Sequence, residues 1–123
     1  MSYRVLLVES DAGVARRLTA AFEDAGFDVM GVDGFEEALK LVRGGAIALL
    51  ITAVRLGAYN GLHLVLRARG VQPRLPAIIT SPAHDPLVEA DAAALDVAYL
   101  AKPESDPVAL LEVVSRLLGA ETV

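Results

Sequence analysis

The chain contains no cysteine and no tryptophan. Without thiols neither a disulfide framework nor a thiolate zinc site can form, and a reducing compartment such as the cytoplasm is the simple expectation. Aromatic residues make up 5% of the total, too few for the stacking platforms that hold single-stranded nucleic acid. The net charge is -5 and no run of Lys or Arg occurs. Direct nucleic-acid contact needs clustered positive charge, so it is not expected. Long hydrophobic runs are missing too. The apolar stretch after Met1-Ser2-Tyr3-Arg4 stops at Glu9, short of a signal peptide or a membrane span. His63 and His84, the two histidines, are too few and too far apart for a metal site.

What is present suits one buried core. Apolar residues are 54% of 123, which points to a single domain over 1–123. Short apolar runs alternate with amphipathic stretches. Val5-Leu6-Leu7-Val8 reads as a fully buried strand. Asp11 is placed to cap a helix carrying Val14, Leu18, Ala21 and Phe22 at helical spacing, with Gly26 at its end. Residues 27–32 alternate more and predict a second strand nearer an edge. Phe35, Ala38, Leu39 and Val42 mark a second helix closed by Gly44-Gly45. Residues 47–52 form a third strand, nearly all apolar. Asn60-Gly61 reads as turn chemistry tolerant of positive φ, and opens a third helix through Leu62, Val65 and Leu66. Pro76 to Thr80 is a fourth strand and Pro86 to Leu95 a weaker helix. Val97 to Leu100 is a fifth strand. The last helix, Pro107 to Leu118, is expected to turn Val108, Leu111, Val114, Leu117 and Leu118 inward. The Glu121-Thr122-Val123 end is either a terminus or the start of a linker.

Strands alternating with helices, the central ones almost wholly apolar, predict an α/β fold. This is a (βα)5 doubly wound parallel sheet of the flavodoxin type. In the order 2-1-3-4-5 the ends of the first and third strands meet at a topological switch point, where such folds bind ligands. Glu9-Ser10-Asp11 and Thr52-Ala53-Val54 lie at those ends.

Four segments carry a resemblance. These are Val5 to Asp11, Leu49 to Leu56 with Asn60-Gly61, Pro76 to Ser81, and Tyr99-Leu100-Ala101-Lys102-Pro103. In this order and spacing the chain resembles the response-regulator (CheY-like) receiver family over essentially its whole length. The resemblance implies a signalling role in a two-component phosphorelay. It also implies a pocket of three carboxylates: two after the first strand that help hold Mg²⁺, and one ending the third strand that holds the metal and accepts a phosphoryl group. A hydroxyl residue and a lysine contact that group. Hard divalent cations need several oxygen ligands, and a carboxylate oxygen is the nucleophile.

Residue by residue, the first acidic position falls on Glu9 and the second on Ser10. The phosphoacceptor position falls on Ala53, in a register set by Arg55-Leu56 and Asn60-Gly61. The hydroxyl position falls on Ser81, the switch aromatic on Tyr99 and the lysine on Lys102. Asp11 lies one place beyond the acidic pair, where a helix cap is the simpler role. Two of the three carboxylates are therefore missing, so Mg²⁺ binding is expected to be weak or absent, with no other cofactor. Thr52 alternates to the opposite face and is not expected to substitute. Glu9 is a relic metal ligand or, more simply, an ion-pair partner of Lys102; Lys102, without a carboxylate at 53, is expected to turn to Glu9, to backbone carbonyls or to water. Tyr99 is either a rotating switch or a static strand residue. Pro82 departs from the usual small flexible residue and stiffens its loop.

The function that follows is an atypical, degenerate receiver, not an enzyme, working by phosphorylation-independent protein–protein interaction. The expected face is the fourth helix, fifth strand and fifth helix, through Val88, Ala92, Tyr99, Ala101 and the exposed side of the last helix; a homodimer could form there. The alternatives are a working phosphorelay receiver with a non-standard acceptor, or an engineered Asp-to-Ala form of one. Against the latter, one engineered change does not explain Ser10 and Pro82. A flavodoxin-like cofactor carrier is disfavoured, because Glu9 and Asp11 would repel phosphate where such a site needs a Gly/Ser/Thr loop, and no nucleophile–base pair is visible.

Overall fold

The computed structural model describes residues 3–119; the Glu121-Thr122-Val123 end lies outside them. The element order is β1 (Arg4–Val8), α1 (Ala12–Asp24), β2 (Asp28–Val32), α2 (Phe35–Arg43), β3 (Leu49–Ala53), β4 (Arg55–Leu56), β5 (Tyr59–Asn60), α3 (Gly61–Val71), β6 (Ala77–Ser81), α4 (Pro86–Ala94), β7 (Ala98–Ala101) and α5 (Pro107–Leu117). The main sheet has five strands in the order β2-β1-β3-β6-β7, all paired in parallel. With the two-residue strands β4 and β5 left aside, this is the expected 2-1-3-4-5 arrangement.

Alternation along each strand divides the core in two. Leu6, Val8, Leu50 and Ile79 pack with residues of α2, α3 and α4 on one face. Val5, Leu7, Ile51 and Ile78 pack with Leu18 and Phe22 of α1 and Leu110 and Val114 of α5 on the other. Burial on both faces explains why the central strands read as unbroken apolar runs. β2 and β7 lie at the edges, and β2 is correspondingly half-exposed.

Helix starts follow the sequence. The side chains of Asp11, Asp85 and Asp106 each accept a backbone N–H in the first turn of α1, α4 and α5. Asn60 does the same for α3, its Oδ1 accepting from Leu62 N at 2.7 Å.

Three expectations need correction. Val108 does not turn inward: it is 68% exposed. The buried residues of α5 are Leu110 and Val114, and at about 100° per residue Val108 lies about 200° from Leu110. The short antiparallel β4–β5 pairing was not anticipated, since two-residue strands leave no periodic signal. Asn60-Gly61 is not a positive-φ turn. Asn60 is extended, with φ -105°, and Gly61 is required for space. A Cβ on Gly61 would collide with the carbonyl oxygen of Ala53 and press on Thr52 Oγ1.

Far from these strand ends, Arg69 of α3 ties three segments together. Its guanidinium donates to the carbonyls of Leu75 at 3.1 Å, Leu95 at 2.8 Å and Asp96 at 3.0 Å. It thereby joins the approach to β6 to the far end of α4. Gly61→Ala is expected to lower stability by about 1–3 kcal/mol through the backbone clash, seen as a reduced urea midpoint with an unchanged m-value.

Candidate functional site

The C-terminal ends of the central strands enclose a cavity of about 210 Å³. Its walls include Glu9, Ser10 and Asp11 after β1, Ala53 to Arg55 after β3, Thr80 to Pro82 at the end of β6, and Pro103 and Glu104 after β7. The sheet register sets this convergence: Val8 pairs with Thr52 and Ala53 with Thr80, and Val54 N donates to Thr80 O at 2.9 Å. The switch point predicted from strand order is thus a real concavity, and it gathers Glu9, Ser10, Asp11, Ala53 and Ser81.

Glu9 is half-buried, and its carboxylate accepts from Asp11 N at 3.0 Å. Burial pushes its pKa above the ordinary 4.5, and the nearby Asp11 and Glu104 carboxylates add to this, while the backbone hydrogen bond opposes it. Asp11 is occupied as the α1 cap, accepting from Val14 N at 3.0 Å. Ser10 is exposed at the rim, and Ala53 contributes only a methyl group. Thr52 is fully buried, donates to Ala53 O at 3.0 Å and is not among the cavity's walls.

Of the three courses open to it, Lys102 takes the one to water. It is exposed, has a left-handed backbone (φ 48°, ψ 55°) and does not line the cavity. The anticipated Glu9–Lys102 ion pair is not formed: among the described residues the salt bridges are Arg4–Asp28 and His84–Glu89. Two local geometries account for this. The Glu9 carboxylate is turned to the Asp11 amide, and positive φ takes Lys102 off the alternation of β7.

Ser81 and Tyr99 form a second cluster. Ser81 Oγ donates to Ala83 O at 2.6 Å and lies 2.5 Å from Tyr99 Oη. With the serine proton committed, the tyrosine donates to Ser81, and its oxygen accepts from Asp85 N at 2.9 Å. The ring of Tyr99 meets His84 edge-on at 6.0 Å, and His84 pairs with Glu89 at 2.8 Å. Pro82 lies inside this strapped loop. On the proposed partner face, Ala92 is wholly buried and can contact no partner. Val88, Tyr99 and Ala101 are half-buried. Leu87, overlooked in the sequence, is 78% exposed.

Two contributors to the cavity were also overlooked. Glu104 reaches it because a short 3₁₀ turn follows Lys102, a turn that the Lys102-Pro103 pair could have signalled. Arg55 also lines it; it served only to set the register.

Residues 5–115 match the family model described as the response regulator receiver domain. The chain is 34% identical over 119 residues to the response regulator protein FleR of Pseudomonas aeruginosa, covering 94% of this chain and 24% of FleR. It is 32% identical over 101 residues to the response regulator receiver protein CpdR of Brucella abortus, covering 81% and 84%. A crystal structure of a response regulator receiver protein from Sinorhizobium medicae superposes with a TM-score of 0.83 at 28% identity, covering 97% of this chain and 96% of that one. The chain belongs to the response regulator receiver family, and its place is in two-component signalling. It spans less than a quarter of the length of FleR and of the Escherichia coli transcriptional regulatory protein GlrR.

Two outcomes follow from the geometry. Because the folded-state pKa of Glu9 is raised, the folded chain holds more proton at this site than the unfolded one between pH 4.5 and that raised value. Stability from this group is therefore present at low pH and lost as pH rises through the window. Glu9→Gln is expected to remove that loss and to gain on wild type from pH 4.5 upward, measured by chemical denaturation across pH. Tyr99→Phe is expected to cost about 1–2 kcal/mol by leaving the Asp85 amide without its acceptor and Ser81 with Ala83 O alone, with faster amide exchange over residues 82–88.

Proposed function

We propose that this domain is a degenerate receiver that takes no phosphoryl group and acts by protein–protein contact. The observation that carries this reading is the methyl of Ala53, in the cavity at the end of β3, where the family resemblance puts the attacking carboxylate. A methyl has neither nucleophile nor metal ligand. Ser10 adds no carboxylate. Among the described residues no group of three or more His, Asp or Glu is placed to hold a metal ion; we read Mg²⁺ binding here as weak or absent because Ala53 and Ser10 offer no carboxylate.

Receiver domains work by meeting partner proteins, and the surface offered here is α4, β7 and α5. Leu87 and Val108 are exposed in the first turns of α4 and α5, on either side of an edge strand. This face would receive a partner or a second copy of the chain. The strapping of Tyr99 to Ser81 and Asp85 favours a preset surface over one that waits for a signal. The acidic net charge argues against direct nucleic-acid binding. No helix among the described residues is long and apolar enough to cross a membrane, which agrees with a cytoplasmic setting. We take residues 1–123 as a single domain.

Incubation with a small phosphodonor and Mg²⁺, followed by intact mass measurement, is expected to give no adduct. The paired restoration Ser10→Asp with Ala53→Asp is expected to gain the mass of one phosphoryl group. A stoichiometric adduct on wild type would overturn the reading. Light scattering at high concentration tests self-association separately: a strict monomer removes the homodimer and leaves the heterologous partner.

A further inference from the structure

Charge is unevenly spread along the chain. From Ala38 to His84 there is no Asp or Glu, while Lys40, Arg43, Arg55, Arg67, Arg69 and Arg74 all fall in that stretch. The surplus is positive in a chain whose net charge is -5. The fold turns part of the stretch into one surface. α2 and α3 pack side by side over the same core, so their outer sides adjoin. Lys40 and Arg43 are exposed on α2, Arg67 on α3 and Arg74 just beyond it. None of these four is in a salt bridge among the described residues. Arg69 is held by three carbonyls and Arg55 lines the cavity, so neither belongs to this face. Glu36 and Glu37 stand in the first turn of α2, which leaves the face basic toward the C-terminal ends of the helices. Cations in a last turn complement the helix dipole, and this accounts for Lys40 and Arg43 locally. It does not account for Arg67 in the body of α3, or for the missing carboxylates.

The second observation is apolar. Leu66 is 50% exposed, Val71 43% and Tyr59, just before α3, 49%. These are half of the large apolar side chains left exposed among the described residues. Tyr59 stacks on Phe35 at 4.8 Å, and Phe35 also meets His63 at 5.6 Å, so the head of α3 is fastened to α2. His63, Arg67 and Val71 then follow at four-residue spacing along one stripe, with Leu66 beside it.

The chemistry selects the partner. Nucleic acid needs clustered cations along a phosphate track, whereas these are separated by apolar side chains on a protein of net negative charge. A membrane surface takes up the whole apolar side of an amphipathic helix, and that side of α3, with Leu62, Leu64 and Val65, is spent on the core. An acidic helix with apolar anchors meets both the cations and the exposed Leu and Val.

We propose that the outer face of α2 and α3 docks an acidic amphipathic segment of a partner protein, its apolar residues on Leu66 and Val71 and its carboxylates against Lys40, Arg43 and Arg67. This surface is additional to the one formed by α4, β7 and α5 and does not depend on it. The two fail separately, because different amides report on them.

The test is a ¹H–¹⁵N NMR titration of the intact chain with a capped peptide of leucine and glutamate, its leucines at i, i+3, i+4 and i+7. One control peptide has lysine for glutamate and another has serine for leucine. Saturable shifts centred on the amides of Lys40, Arg43, Leu66 and Arg67 are expected with the first peptide, weakening as salt is raised. The lysine peptide should give none, and the serine peptide should bind more weakly. The double variant Arg43→Gln with Arg67→Gln, checked as folded by its own spectrum, is expected to weaken binding about fivefold or more through loss of two charge partners. Leu66→Ser is expected to weaken it about threefold or more through loss of apolar burial. No saturable shift, an equal response to the lysine peptide, no effect of the double variant, or shifts centred on α4 and α5 overturns the proposal. Oligouridylate or phosphatidylglycerol vesicles perturbing the same amides at lower concentration would assign the face to RNA or to a membrane and also overturn it.

Discussion

The backbone at the end of β3 is held from two sides, and the position of every site residue depends on that hold. On one side Val54 N donates to Thr80 O, tying the strand end to β6. On the other, Gly61 N donates to Val54 O at 2.7 Å, and the missing side chain of Gly61 lets α3 start against the Ala53 carbonyl. Shifting the chain by one residue here would exchange Ala53 for Thr52 in the cavity. It would also exchange the apolar residues of β3 between two differently packed cores, since strand side chains alternate. The buried set Leu49, Leu50 and Ile51 therefore fixes which residue meets the cavity. On the proposed reading, the missing oxygen at position 53 is a change of chemistry on an intact frame.

That separation of frame from chemistry explains what the sequence disclosed. Element type and order were legible because the sheet's central strands are dense apolar runs and the helices carry apolar residues at helical spacing, the first of them behind the capping Asp11. The cavity was legible because the switch point follows from strand order alone. Less could be read where side-chain direction depends on local backbone. Lys102 was expected to meet Glu9, but one positive φ sends it to solvent. Val108 passed as core because an apolar residue in a first helical turn carries no mark of its azimuth. The Arg69 contacts with three carbonyls had no signal, since backbone acceptors are supplied by every residue.

Electrostatics in the cavity follow from the same substitutions. In the family's pattern a cation accompanies the carboxylates; here Ser10 and Ala53 supply none, yet Glu9, Asp11 and Glu104 still face one small space. Burial first, and the Asp11 and Glu104 charges after it, raise the pKa of Glu9. The cavity therefore keeps acidic walls although Ser10 and Ala53 add no carboxylate to them.

The two ends of α4 are secured by different means. At the near end the Asp85 cap and the Tyr99 hydroxyl hold the entry to the helix. At the far end Arg69 grips the carbonyls of Leu95 and Asp96. A rod pinned at both tips has little freedom to slide or tilt. If the proposed partner docks there, it would meet a surface already shaped, leaving little entropy to lose and no slow rearrangement step before binding.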